Sequence, residues 1–141
     1  MPCLTLDLAR RLIDAALADA RRQGFRPMGV VVVDAAAQVV ASAREDGATA
    51  LRLDIALGKA AAAVGMGANS RVLTQRAKDL PAFFGALAAA SPQAFIPQTG
   101  AVLITDEAGA VLGAAGASGG TGDEDEAIVI AGIAAAGLRH A

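Results

Sequence analysis

The chain has 141 residues, 55 % of them hydrophobic and only 3 % aromatic, and its 12 basic and 14 acidic residues leave a net charge of −2. One domain of this length can bury a sizeable core, so residues 1–141 are read as a single domain; without a basic stripe or rings for base stacking, nucleic acid is excluded as a partner. The longest nearly continuous apolar run, Ala127–Leu138, is far short of the roughly 20 residues that span a bilayer, and a lone Cys3 with no signal peptide in "MPCLTLDLARR" points to the cytoplasm.

The first element begins at Thr5. In "TLDLARRLIDAALADARRQG" the residues Leu6, Ala9, Leu12, Ile13, Ala16, Leu17 and Ala20 share one face, which predicts an amphipathic helix. Thr5 caps it, Asp7 suits its first turn and Gly24 stops it. "MGVVVVDAAAQVVASARE" is β-branched on both sides of a turn near Asp34–Ala37 and predicts a hairpin. After the break at "REDGA", Thr49 to Met66 reads as a long helix, apolar on most of its circumference apart from Lys59. "NSRVLTQRAKDLPAFFGALAAAS" continues as helix and then a looser segment interrupted by Pro81, and "PQAFIPQTG" is a loop.

"AVLITDEAGAVLGAAGASGG" repeats the pattern strand, Asp-Glu-Ala-Gly turn, strand. A closing helix is predicted from about Asp123 to Arg139, its acidic start and its Arg139 and His140 end both suited to the helix dipole. Two hairpins separated by helices make an antiparallel sheet with flanking helices, an α+β architecture. Alanine fills core volume where helices approach closely, within or between subunits, so self-association into a homo-oligomer is expected.

The segment "GASGGTGDEDE" carries the densest signal. Glycines at 116, 119, 120 and 122 precede four consecutive acids, Asp123 to Glu126. Such a density of glycine implies close backbone approach or repeated positive φ. The amides of the helix start converge on one space, where an anion can bind. The acids compete for those amides, however, and "GASGGTGD" lacks the Lys of a phosphate-binding loop. The segment is therefore either a turn with a capping cluster or a turn that lines a ligand site.

At these residues the chain resembles the GlcG/HbpS-type family, which includes the C-terminal domain of PduO-type cobalamin adenosyltransferases. The matching pieces are "LTLDLARRLIDAAL", "VVVVDAAAQVVASAREDGA", "IALGKAAAA" and "GAVLITDEAGAVLGAAGASGGTGDEDEAI", together nearly the whole chain. The last resembles the family's "G-x-x-G-x-x-G-x-S-G-G-T-x-x-x-D-E" signature, which it matches from Gly113 to Glu126. The resemblance implies a profilin-like sandwich that forms oligomers, and links to haem binding or degradation or to small-molecule catabolic operons. This chain departs from the pattern at Ala36-Ala37, where the first hairpin turn usually has Gly-Gly. It departs again at "IPQTGAV", where a glycine pair is usual and the floor of a ligand site is implied, and at Glu124, often Gln.

The candidate site residues are Lys59 and Asp125 for chemistry, with Arg44, Asp46, Ser118, Gly119, Gly120, Thr121 and Glu124 for ligand binding. A lysine among alanines either snorkels or is held inward by a partner, for which Asp125 and Asp46 are the candidates. Buried, it is an ion-pair member, a ligand anchor, or a base or Schiff-base nucleophile. Arg44 matches a carboxylate with its planar fork. Haem is a possible cofactor, yet iron ligands are scarce: His140 and Cys3 stand near the ends, and Met28 and Met66 suit the core. No metal-ligand spacing occurs, and one histidine supplies no catalytic triad. These features point to an oligomeric small-molecule-binding protein, accessory or sensor to a catabolic pathway. The alternative is a tautomerase- or hydrolase-like enzyme moving a proton on an organic acid or imine through Lys59.

Overall fold

The computed structural model describes residues 3–141, whose elements run α1 (Leu6–Gln23), β1 (Gly29–Asp34), β2 (Val39–Arg44), α2 (Arg52–Met66), α3 (Ser70–Asp79), α4 (Pro81–Ala90), β3 (Ala101–Thr105), β4 (Val111–Ser118), α5 (Gly122–Ala135) and β5 (Arg139–His140). The strands form one antiparallel sheet in the order β2-β1-β4-β3-β5. Each predicted hairpin is present, and the two join through the β1–β4 pair at the centre. The fold is the α+β sandwich that the alternation of hairpins and helices implies.

Side chains alternate across the pleat and sort the strands onto two cores. Val30, Val32, Val102, Ile104, Ala115 and Ala117 face α1 and α5, with Leu12, Ile13, Ile128 and Ile133. Val31, Val33, Ala101, Leu103 and Ala114 face α2, with Ala56, Ala60 and Ala63. Buried on both faces, β1 and β3 read as continuous apolar runs rather than as alternation. A third cluster of Ala62, Leu73 and Phe84 seats α3 and α4 beside α2.

The alanine content has a packing use. A Cβ added at Gly116 would lie 2.5 Å from the Ala56 carbonyl oxygen and 3.2 Å from the Ala60 Cβ, so α2 rests almost directly on the β4 backbone. Of the glycines at 116, 119, 120 and 122, none has positive φ. Close approach, not a left-handed turn, is what places glycine at 116.

The two hairpins turn by the same chemistry. Asp34 Oδ1 accepts from the Ala36 and Gln38 amides, and Asp106 Oδ1 accepts from the Ala108 and Ala110 amides. The fourth residue of each turn is left-handed, Gly109 at φ 86° and Ala37 at φ 60°. Ala37, where the family usually has glycine, is the only non-glycine residue with positive φ among the described residues.

The structure corrects the closing helix. α5 stops at Ala135, Gly137 takes φ 75°, and Arg139 and His140 form β5 against Thr105 and Ile104 on β3. Neither basic residue sits on the helix end. A left-handed glycine ends a helix more decisively than the favourable charges beyond it extend one. The segment after Met66 is likewise two helices, α3 and α4, with Pro81 in the first turn of α4 where its missing N–H costs nothing.

Candidate functional site

Three segments meet at one end of the sheet: the first half of α2, residues 98–100 before β3, and the turn from β4 into α5. They enclose a cleft of about 450 Å³ lined by Arg52, Ile55, Lys59, Ser118, Asp125 and neighbouring polar residues. Arg52, Ile55 and Lys59 stand at i, i+3 and i+7 on α2, one stripe of the helix. Neutral Ala and Gly to either side let that stripe sink towards β4.

Lys59 is held inward. At 5 % exposure, its Nζ donates to Asp125 Oδ2 at 2.9 Å and to the Ala117 carbonyl at 3.0 Å. Asp125, at 2 % exposure, accepts the Gly120 amide on its other oxygen at 2.9 Å. Burial pushes the Asp125 carboxyl above its ordinary value, while the Lys59 ammonium, the Gly120 amide and Arg52 pull it back. Space for the ammonium comes from Gly100, where a Cβ would fall 2.7 Å from Nζ and where φ is 139°.

Arg52 has only neutral partners: Nε donates to Thr49 Oγ1 at 3.0 Å and Nη1 to Ser118 Oγ at 3.2 Å. Among the described residues no carboxylate lies within ion-pair distance of it. Asp123, at the mouth, is instead paired with Arg71 of α3, which also binds Glu126. Those two carboxylates, Glu126 foremost, hold the Arg71 guanidinium above its ordinary value.

The structure thus brings Lys59, Asp125, Ser118, Gly120 and Thr121 to one cleft. It does not bring Arg44 and Asp46 there; they line a separate cleft with Arg21, Pro27 and Glu45. In that cleft Glu45 is the engaged acid, accepting from the Met28 amide at 2.8 Å and from Arg21 at 2.9 Å. Of the two partners considered for Lys59, the structure selects Asp125. Gly119 packs on the Pro27 carbonyl, 2.4 Å from where its Cβ would be, and does not line the cleft. Glu124 completes a capping box, accepting from the Thr121 amide at 2.9 Å while its own amide donates to Thr121 Oγ1. It faces a small cleft on the far side of the turn with Gly24, Phe25 and Arg26.

Sequence reasoning missed Arg52, and the signal was present as the seven-residue interval to Lys59. The "IPQTGAV" loop does supply a wall, through Gln98 and Thr99. Among the described residues, no three His, Cys, Asp or Glu side chains gather to hold a metal ion. Nor is any helix there long and apolar enough to cross a membrane.

A five-stranded antiparallel sheet with helices on both faces, and a charged cleft at the junction of strand and closing helix, defines an α+β sandwich with a polar small-molecule-sized site. The family model described as "Haem degrading protein HbpS-like" matches residues 4–134, and the chain belongs to that family. A double mutant of HbpS from Streptomyces reticuli is 31 % identical, with a TM-score of 0.82 over 95 % of this chain and 87 % of that one. A PduOC–haem complex is 25 % identical, with a TM-score of 0.86 over 98 % of each chain. Klebsiella pneumoniae protein ORFY, 24 % identical with a TM-score of 0.85 over 95 % of this chain and 90 % of that one, shares the fold. No curated protein matches the chain.

Proposed function

We propose that this chain is a small-molecule-binding protein that takes its ligand in the Arg52–Lys59–Asp125 cleft. In this reading it assembles with copies of itself and serves a catabolic pathway as a cytoplasmic accessory or sensor protein. The observation that carries the reading is the cleft itself: a buried ion pair forms its floor and a cation without an acidic partner, Arg52, forms its wall. Buried charge that is both paired and open to a cleft is characteristic of binding sites. Self-association is supported by α4, which has no charged residue, buries only Phe84 and leaves Phe83 55 % exposed.

Family membership and the PduOC–haem neighbour bring haem into consideration. The cleft's donor set suits carboxylates such as propionates, through Arg52 and Lys59. It does not suit iron, for no imidazole, thiolate or thioether lines it. His140 and Cys3 are exposed elsewhere, and Met28 is fully buried beneath the β4–α5 turn. No chemistry of this cleft is therefore routed through a haem iron.

A proton-transfer enzyme acting on an organic acid or imine is the second reading, favoured by a buried lysine that reaches a cleft. Borohydride trapping of a carbonyl substrate on Lys59 is its signature. The binding reading is tested by thermal shift of the purified protein with haemin, cobalamins and small carboxylates. A ligand of the native state raises the melting temperature by mass action, and the shift is lost in Arg52→Gln. If no compound shifts the protein, or every shift survives Arg52→Gln, the reading fails. Light scattering after size exclusion tests self-association: a 13.9 kDa species at all concentrations refutes it.

A further inference from the structure

Resting on the reading of the cleft as a binding site, we propose that its ligand is a small monocarboxylate carrying a second oxygen acceptor. The carboxylate docks on Arg52 and the second oxygen on Nζ of Lys59. The charges of the cleft set the ligand's charge. Four ionised side chains line it, Arg52, Lys59, Asp123 and Asp125. Lys59 pairs with Asp125, and Arg71 of α3, outside the cleft lining, is shared between Asp123 and Glu126. Arg52 is the lining cation without an acidic partner, its hydrogen bonds going only to hydroxyls. One negative charge balances it; a phosphate dianion would meet Asp123 and Asp125 without a second cation to offset it.

The guanidinium fork fits a carboxylate through parallel N–H donors. The second contact follows from valence. A lysine ammonium has three N–H donors, and among the described residues only Ala117 O and Asp125 Oδ2 accept from Nζ. The third donor is unfilled on a side chain that lines the cleft. Arg52 and Lys59 also converge, since they bond to the consecutive β4 residues Ser118 and Ala117. A single small molecule spans both, with Ile55 between them on the same helix stripe as an apolar wall.

The test titrates pyruvate and lactate into the purified protein, following heat and the amide resonances of Gly120, Thr121 and Gly122. Pyruvamide removes the charge, propionate removes the second oxygen, and inorganic phosphate tests a dianion. The expected result is that both acids shift the three amides, and that each comparison compound binds at least tenfold more weakly. Arg52→Gln, folded by circular dichroism, weakens pyruvate at least tenfold, and Arg44→Gln in the other cleft leaves it unchanged. Equal binding of pyruvamide or phosphate, or indifference to Arg52→Gln, overturns the inference. If haemin or a cobalamin shifts the cleft amides and neither acid does, the inference fails while the cleft remains a binding site. If nothing shifts them, both fail.

Discussion

Replacing Lys59 by Met keeps an unbranched side chain, shorter by the Nζ atom, and removes its charge, leaving Asp125 at 2 % exposure without its counter-ion. Breaking a buried pair by removing one partner costs about 3–5 kcal/mol at neutral pH. With an unfolding entropy of about 2.1 cal/mol/K per residue, 141 residues lose roughly 10–17 °C in Tm for that cost. The loss depends on pH in a definite sense. Burial already holds the Asp125 carboxyl above 3.8, and Lys59 is the strongest influence lowering it. Its removal therefore raises the folded pKa further. A carboxyl with a raised folded pKa contributes stability that is full below the unfolded value and is lost as pH rises through the folded one. Wild type and Lys59→Met lose this stability in parallel until pH reaches the folded pKa of Asp125 in the wild type, so the gap should widen only above that point, up to the higher folded pKa of the variant. At the acid end about 1–2 kcal/mol should remain, from the lost hydrogen bonds of Nζ. Adding Asp125→Asn to Lys59→Met removes the stranded charge and should recover most of the neutral-pH loss. Thermal melts of the three proteins from pH 4 to 8 decide the matter. A pH-independent gap, or no recovery in the double variant, would refute the buried-pair account.

Ala37→Gly relieves a left-handed residue that costs about 1–2 kcal/mol, less the 0.5–1 kcal/mol that glycine's freedom takes back. Its Tm should rise by a few degrees, while Gly109→Ala in the twin turn lowers it; a lower Tm in Ala37→Gly contradicts the shared turn geometry. Thr121→Ala removes the acceptor for the Glu124 amide and should cost about 1 kcal/mol by urea denaturation; no loss means the capping box is idle. Gly100→Ala combines a φ of 139° with a Cβ 2.7 Å from Nζ. It should destabilise by about 1–3 kcal/mol and displace the Lys59–Asp125 pair, which the Nζ resonances of Lys59 would report as a changed exchange rate.

Much of the fold was legible because its signals are local. The helical period and cap of α1, the β-branched runs of β1 and β2, and the Asp-led turns are each written within a few residues. The exposed turn residues of both hairpins sit where the sequence places them. β5 was not legible: two residues, Arg139 and His140, carry no period, and only the edge of β3 makes them a strand. The glycines before α5 were visible as a cluster, but their reason was not, because close approach to α2 and to Pro27 depends on other parts of the chain.

The candidate site divides in the same way. Sequence by itself marked Lys59 as anomalous among alanines and marked the β4–α5 turn as unusual, since both are violations of a local pattern. It could not decide which acid meets that lysine, because Asp125 lies 66 residues away and the choice is made by the packing of α2 and α5 against opposite faces of β4. Nor could it separate Arg52 from the other arginines. Arg10, Arg26, Arg44, Arg76 and Arg139 likewise pair with no acid among the described residues. What distinguishes Arg52 is its place, for it alone of the arginines lines the cleft of Lys59 and Asp125, and that is a property of three-dimensional neighbours.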